Sequence, residues 1–262
     1  MIQKVAFLLA AVFLGFLCAT AVQAETVRGE GRYTSQTLTH LMPFNAVEVN
    51  GDIQVAVRQM PDQTVTLSGP ANLAVLADVR VEKDTLVIDY KRPIHVRGEA
   101  LQVSVFVPEL TALTVRGNGK LEVFGQAQAD QLSLIAADHG KLSADSLQAN
   151  QVRVQAMNHA EIDVERLNTQ HLEAAAFDKA EIDLSGFAHK AVLTNHSTED
   201  LEAEDLRVND ATATVNGSGD VSLFAMQTLK ATANGRGKIE YHGTPVVTRA
   251  GNAKKIVPVF KD

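Results

Sequence analysis

The chain has no tryptophan, three tyrosines and ten phenylalanines, so aromatic platforms for stacking sugars or bases are sparse. Its one cysteine, Cys18, lies in an apolar stretch near the start. The residue before it is Leu17, where a lipoprotein signal wants a small residue, so no lipid anchor is expected. Beyond this stretch there is no thiol, and disulfides and thiolate metal sites are excluded. Basic residues are in deficit: 24 Lys and Arg face 31 Asp and Glu, a formal charge of −7. That balance argues against nucleic acid or an anionic membrane as the main partner, since both want clustered cations. No apolar run reaches the length of a membrane span. The longest, Val5–Leu17, has 13 residues, and a span needs about 20.

That run follows Lys4 and precedes Val22-Gln23-Ala24. The pattern is that of a secretory signal peptide over residues 1–24, cleaved before Glu25. Export to the periplasm or the exterior follows. Loss of Lys4 leaves 23 Lys and Arg and takes the charge to −8. Residues 25–43 read as an N-terminal extension.

From about residue 110 to 242 the chain repeats itself. Seven copies are anchored on Leu121, Leu142, Ile162, Ile182, Leu201, Val221 and Ile239, with spacings of 21, 20, 20, 19, 20 and 18. A unit this small cannot bury its own apolar face and must stack on its neighbours. Eight residues before each anchor stand Leu113, Leu134, Val154, Ala174, Leu193, Ala213 and Ala231. Six before stand Val115, Ala136, Ala156, Ala176, Asn195, Val215 and Ala233. Two after the anchors come Val123, Ala144, Val164, Leu184, Ala203, Leu223 and Tyr241. Alternation at i, i+2 is strand periodicity. Five residues after the middle anchors come Leu147, Leu167, Phe187, Leu206 and Met226, expected to turn a third face inward.

Leucine-rich repeats share the period but need a Leu-x-x-Leu-x-Leu framework, which is missing. The expected fold is all-β, a parallel β-helix of roughly 20-residue coils. Seven coils stacked at the interstrand distance give a rod of roughly 30 Å. Alanines 156, 174, 175 and 176 predict a narrow core, with Phe177 and Phe187 filling the opposite wall. Asn195, alone in an apolar column, predicts a buried hydrogen-bonded site or an irregular coil. Gly, Asn, Asp and Ser dominate the corner positions four to two before each anchor, as in Gly117-Asn118-Gly119 and Gly217-Ser218-Gly219. These types suit tight corners.

Residues 44–108 alternate less regularly and read as antiparallel strands and hairpins that lead into or cap the solenoid. Residues 243–262 read as a C-terminal cap or tail. Within this first part, Phe44-Asn45-Ala46-Val47-Glu48-Val49-Asn50-Gly51, then Val65-Thr66-Leu67-Ser68-Gly69-Pro70-Ala71-Asn72-Leu73, then Val81-Glu82-Lys83-Asp84-Thr85-Leu86-Val87-Ile88 resembles the opening of the DUF2807 family. That family is also called the putative auto-transporter adhesin, head GIN domain. The Gly-x-Gly corners at Gly117, Gly217 and Gly235 are similar to its later repeats, while the middle coils carry His-Gly, His-Ala and Lys-Ala instead. The resemblance spans 44–242 and implies an extracytoplasmic β-helical domain with an adhesive role. It implies no catalytic residue.

Two sets of residues invite a metal. His139 and His159 share a corner position in adjacent coils, about 5 Å apart by strand spacing. The alternative is two exposed corner histidines, and Lys179 follows in the same column. One residue after the anchors come Glu122, Asp163, Asp183, Glu202 and Glu240, with Glu161, Glu181, Asp200 and Asp220 one residue before. Such a stripe, centred on Asp163 and Asp183, suits Ca²⁺ or a basic partner. It equally suits a solvated face that prevents lateral aggregation. No nucleophile motif and no phosphate loop is present. The expectation is therefore a non-catalytic binding or scaffold module without a cofactor. A polysaccharide-active β-helix enzyme and a structural protein self-associating through its ends stand as alternatives. The partner, whether glycan, protein or another envelope ligand, is not specified.

Overall fold

The computed structural model describes residues 24–260. The expected signal peptide lies outside that range except for Ala24. Strand makes up 71% and helix 4%, which leaves no room for a helix in each repeat.

The strands in chain order are β1 (Glu25–Gly29), β2 (Tyr33–Leu38), β3 (Ala46–Asn50), β4 (Ile53–Gln59) and β5 (Thr64–Pro70). A six-residue helix, α1 (Ala71–Leu76), precedes β6 (Ala77–Glu82), β7 (Thr85–Tyr90), β8 (Ile94–Gly98), β9 (Leu101–Val107) and β10 (Ala112–Arg116). Six long strands follow: β11 (Lys120–Ala136), β12 (Lys141–Ala156), β13 (Glu161–Asp178), β14 (Glu181–Ser197), β15 (Leu201–Val215) and β16 (Val221–Ala233). β17 (Ile239–His242), β18 (Val246–Gly251) and β19 (Ile256–Pro258) end the chain.

The long strands bend around corners. In β11, Leu121 and Val123 point inward, then Phe124, Gly125 and Gln126 are all exposed. Ala127 turns in again, Asp130 and Gln131 are both exposed, and Leu132, Leu134 and Ala136 form a third buried row. Each coil thus has three faces around one apolar core. All coil-to-coil pairing from β10 to β17 is parallel. Each anchor pairs with the next, from Leu121 with Leu142 through to Val221 with Ile239. The architecture is a β-solenoid of about seven coils.

The third inward row differs from expectation. Leu147 pairs with Leu167, but Leu167 pairs with Gly186 rather than Phe187. Phe187 lies in the outward row of Asn168 and Arg207. Coil four is one residue short, and its register shifts between Val164 and Leu167. Gly186, at φ +123°, absorbs the shift, and a Cβ there would stand 2.2 Å from the Leu167 carbonyl oxygen. Met226 likewise stays half-buried while Ala225 turns in. Strand alternation also turns Ala175 and Phe177 outward, alternating with buried Ala174 and Ala176. The bulk facing the alanines comes from Ile162, Ile182, Leu184 and Leu193, all fully buried.

The corners come in two kinds. In the earlier coils Gly117, Asp138, Asn158 and Asp178 are left-handed, at φ +69°, +63°, +64° and +62°. Asp and Asn tolerate that region better than other side chains. From Ser197 on, the corner abandons it. A Cβ on Gly217 would lie 2.0 Å from the Ser197 carbonyl oxygen, so only glycine allows the closer approach. Asn195 sits at this change of corner and is fully buried. Its Nδ2 donates to the carbonyls of Glu199 and Asp220, both at 2.9 Å, and its Oδ1 accepts from the Ser197 amide at 2.7 Å.

The N-terminal part is only in part the antiparallel hairpins expected: β6 and β7 form one across Lys83 and Asp84, but β3 and β4 pair in parallel on both sides. β3 and β4 already form a coil, parallel to β10 and β11 on one side. On their other side lie β7 and β9, also parallel. The chain therefore lays down its second layer first. Antiparallel pairing is confined to β2 with β5, β5 with β9, and β6 with β7. Period-two alternation does not report strand direction, which is why these parallel pairs look like hairpins in sequence. Residues 25–43 contribute β1, paired with β8, and β2.

At the other end β17 and β18 form the last coil, and β19 stacks on β17. Arg249 occupies the inward column next to Ala231. Its Nη2 donates to the Tyr241 hydroxyl at 2.8 Å, and its guanidinium lies 5.9 Å from that ring's centroid. Lys255 Nζ donates to the carbonyls of Gly235 and Arg236.

Candidate functional site

The outward rows carry whatever function the rod has. On the face opening at each anchor, Asp163 pairs with Asp183 and Asp183 with Glu202, while Glu161 pairs with Glu181. Asp163 is pushed above the usual aspartate range first by partial burial, then by Glu165 and Glu161. Asp183 is raised first by burial, then by Asp163, Asp205 and Glu204. Glu181 and Glu202 are raised in the same way, by burial and then by neighbouring carboxylates. The stripe meets a cation at its lower margin, where Lys141 pairs with Glu161.

His139 and His159 stack with ring centroids 4.9 Å apart and planes 8° from parallel. Ring lone pairs lie in the ring planes, so in this pair they run side by side and do not converge. Among the described residues no group of three or more His, Cys, Asp or Glu is placed to hold a metal. A second stack, Phe177 on His196 at 5.1 Å, lies beside it on the same corner.

Elsewhere a groove of about 1090 Å³ crosses successive coils. Its floor is the buried row Leu132, Val152 and Leu172. One rail is Gln131, Gln151, His171 and Lys190, in register with each other. The other is Ser133, Arg153, Glu173 and Val192. Arg153 Nη2 and Glu173 Oε2 are 2.9 Å apart, which ties one rung to the next. Val192 is 46% exposed. Buried Thr169 supports the first rail from behind, its hydroxyl donating to the Asn150 carbonyl at 3.3 Å or the His171 carbonyl at 3.1 Å.

This arrangement can hold an extended ligand along the rod: aliphatic floor, amide and charged rims, a rung at each coil. None of the rail residues stood out in the sequence, although each sits eleven or nine residues before an anchor. That fixed offset is the signal that could have found them.

The profile of one protein family, described as putative auto-transporter adhesin, head GIN domain, matches residues 43–165 and again 158–245. The chain belongs to the DUF2807 family. Solved structures share its fold. A putative adhesin from Parabacteroides merdae superposes with a TM-score of 0.78 at 22% identity, over 86% of this chain and 95% of its own. A putative adhesin from Parabacteroides distasonis gives 0.80 at 24%, over 86% and 95%. A protein of the same species described as a putative lipid binding protein gives 0.81 at 17%, over 86% and 96%. Among curated proteins none matches the chain. As a DUF2807 solenoid it shares its architecture with these neighbours.

Proposed function

We propose that the protein is an exported, non-catalytic adhesin-like module that binds an extended envelope ligand along the groove. The observation that carries this reading is the groove itself. Its aliphatic floor of Leu132, Val152 and Leu172 runs between two polar rails over successive coils. Membership in a family described by adhesion supports it, as does the signal-like start of the sequence. The amide and charged rims suit a polar polymer such as a glycan, or an extended peptide. The groove's one close acid–base pair, Arg153 with Glu173, is a salt bridge between rungs. The reading needs no cofactor.

A binding screen of the purified protein against envelope glycans and proteins tests it. Binding that weakens about tenfold in a Gln151→Ala, His171→Ala double variant is expected, without turnover of the ligand, as two buried polar contacts are lost. Consumption of an oligosaccharide would establish an enzyme instead. Binding unaffected by the double variant would move the site off the groove.

A further inference from the structure

The overall charge of −7 hides a strong asymmetry along the rod. Residues 161–220 hold fourteen Asp and Glu against four Lys and Arg, a net of −10. Residues 221–262 hold seven Lys and Arg against Glu240 and Asp262, a net of +5. Because the coils stack in sequence order, this division in sequence is a division in space. The last coils form a basic end above an acidic body.

Lys230, Arg236, Lys238 and Lys254 are all exposed there. The described carboxylate among them, Glu240, lies 4.0 Å from Lys238 only. Large apolar side chains stand out at the same end: Val246 is 75% exposed and Phe260 78%. β18 pairs only with β16 and β19 only with β17 among the described residues. The final coil therefore presents an uncovered outer side. Its core is closed by Arg249 over Tyr241, and its corner carbonyls by Lys255.

We propose that this basic end docks against an anionic membrane surface, with the rod's acidic body directed away from it. Clustered cations are drawn to anionic headgroups over a Debye length. Exposed valine and phenylalanine at the same end enter the headgroup boundary, which a soluble polyanion gives them no reason to do. A second copy meeting by the same end would oppose like charges, and Arg249 puts a charge where the next coil's apolar column would continue. The acidic body is repelled by the same surface, so the charge asymmetry also sets the orientation.

The test is co-sedimentation with vesicles of phosphatidylcholine alone or of phosphatidylcholine and phosphatidylglycerol in equal amounts. The protein is expected to pellet with the anionic vesicles, to stay in solution with the neutral ones, and to be released by high salt. Each cation removed should lower vesicle affinity roughly fivefold, so Lys230→Gln, Arg236→Gln and Lys254→Gln together should lower it about a hundredfold. Phe260→Ser should weaken binding further. Arg58→Gln with Lys120→Gln, far from this end, should retain it. Circular dichroism of the triple variant should match that of the parent. Equal binding to neutral vesicles, no binding to anionic ones, or full binding by the folded triple variant overturns the proposal. Alginate displacing the protein as readily as vesicles take it up would assign the end to a soluble polyanion instead.

Discussion

The side chain of Gln59 acts as a strand for Gln128. Its Oε1 accepts from the Gln128 amide at 2.6 Å, and its Nε2 donates to the Gln128 carbonyl at 3.0 Å and to the Pro108 carbonyl at 3.0 Å. β4 pairs with β11 only as far as Val123. The second face of that coil thus begins without a backbone partner at this point, and one amide completes the ladder. Gln59→Ala should cost about 1–2 kcal/mol, the loss of hydrogen bonds that water partly replaces. Urea unfolding and faster amide exchange at Gln128 would measure it.

Asn195 should be far less tolerant. Replacement by Ala takes their side-chain partner from the Glu199 carbonyl and the Ser197 amide, and leaves the Asp220 carbonyl with the Leu201 amide alone. A loss of about 3 kcal/mol is expected, since buried groups left without partners forfeit their full solvation. An apolar substitution such as Asn195→Leu should not rescue stability, although it continues the apolar column. A thermal melt of both variants against the parent decides this.

The acidic stripe gives stability an unusual slope. Asp163, Glu181, Asp183 and Glu202 all have pKa values raised above 3.8 for aspartate and 4.5 for glutamate, by burial first and like charges second. In the window between those ordinary values and the raised ones, the folded chain binds more protons than the unfolded chain. Stability contributed by these groups therefore falls as pH rises through that window. Melting temperature should climb as pH drops from neutral toward the ordinary carboxylate range. Asp183→Asn should flatten the slope and raise the melting temperature at neutral pH. A parent whose melting temperature only falls on mild acidification would contradict this.

Gly217→Ala tests the second kind of corner. Its Cβ would sit 2.0 Å from the Ser197 carbonyl oxygen, so the two coils must part locally. A loss of about 1–3 kcal/mol is expected, as for other overpacking changes. Asp138→Gly, in a left-handed corner, should cost less: glycine accepts that backbone freely, and only the contacts of the carboxylate to Gly117 and Asn158 are lost. Parallel denaturation curves of the two variants make the comparison.

Addition of Ca²⁺ or Zn²⁺ should produce no binding heat and no shift in melting temperature. The stacked rings of His139 and His159 aim their lone pairs in parallel, and the stripe of Asp163 and Asp183 is a flat strand row. Calorimetric titration checks both at once.

How far the sequence reveals this molecule depends on which interaction writes the pattern. The anchor, −8 and −6 rows are legible because burial enforces one residue type at one spacing, and their register is the one the spacing predicts. The third face is less legible, since Phe187 is apolar yet outward, and only the backbone shift at Gly186 decides it. The stacking of β3 between β7 and β10, and of β4 between β9 and β11, is not legible, because alternation is the same for either strand direction. The groove depends on the shape of a corner, and its rails mix Gln, His, Lys, Arg and Glu without a recurrent type. Charge was legible in total and misleading in total: the sum conceals the basic end that sequence order alone places together.

The order in which the first layers are laid down sets a timetable for folding. Most coils meet the next one about twenty residues later and can zip as the chain arrives. The layer of β3 and β4 is different. One of its faces waits for β9, which ends at Val107, so nearly fifty residues must be delivered before that face is closed. Loop closure of this kind slows folding more than it weakens the product. A chain held midway through synthesis at that length would expose Val47, Val49, Val55 and Val57 together, and this is the interval in which a chaperone has most to protect.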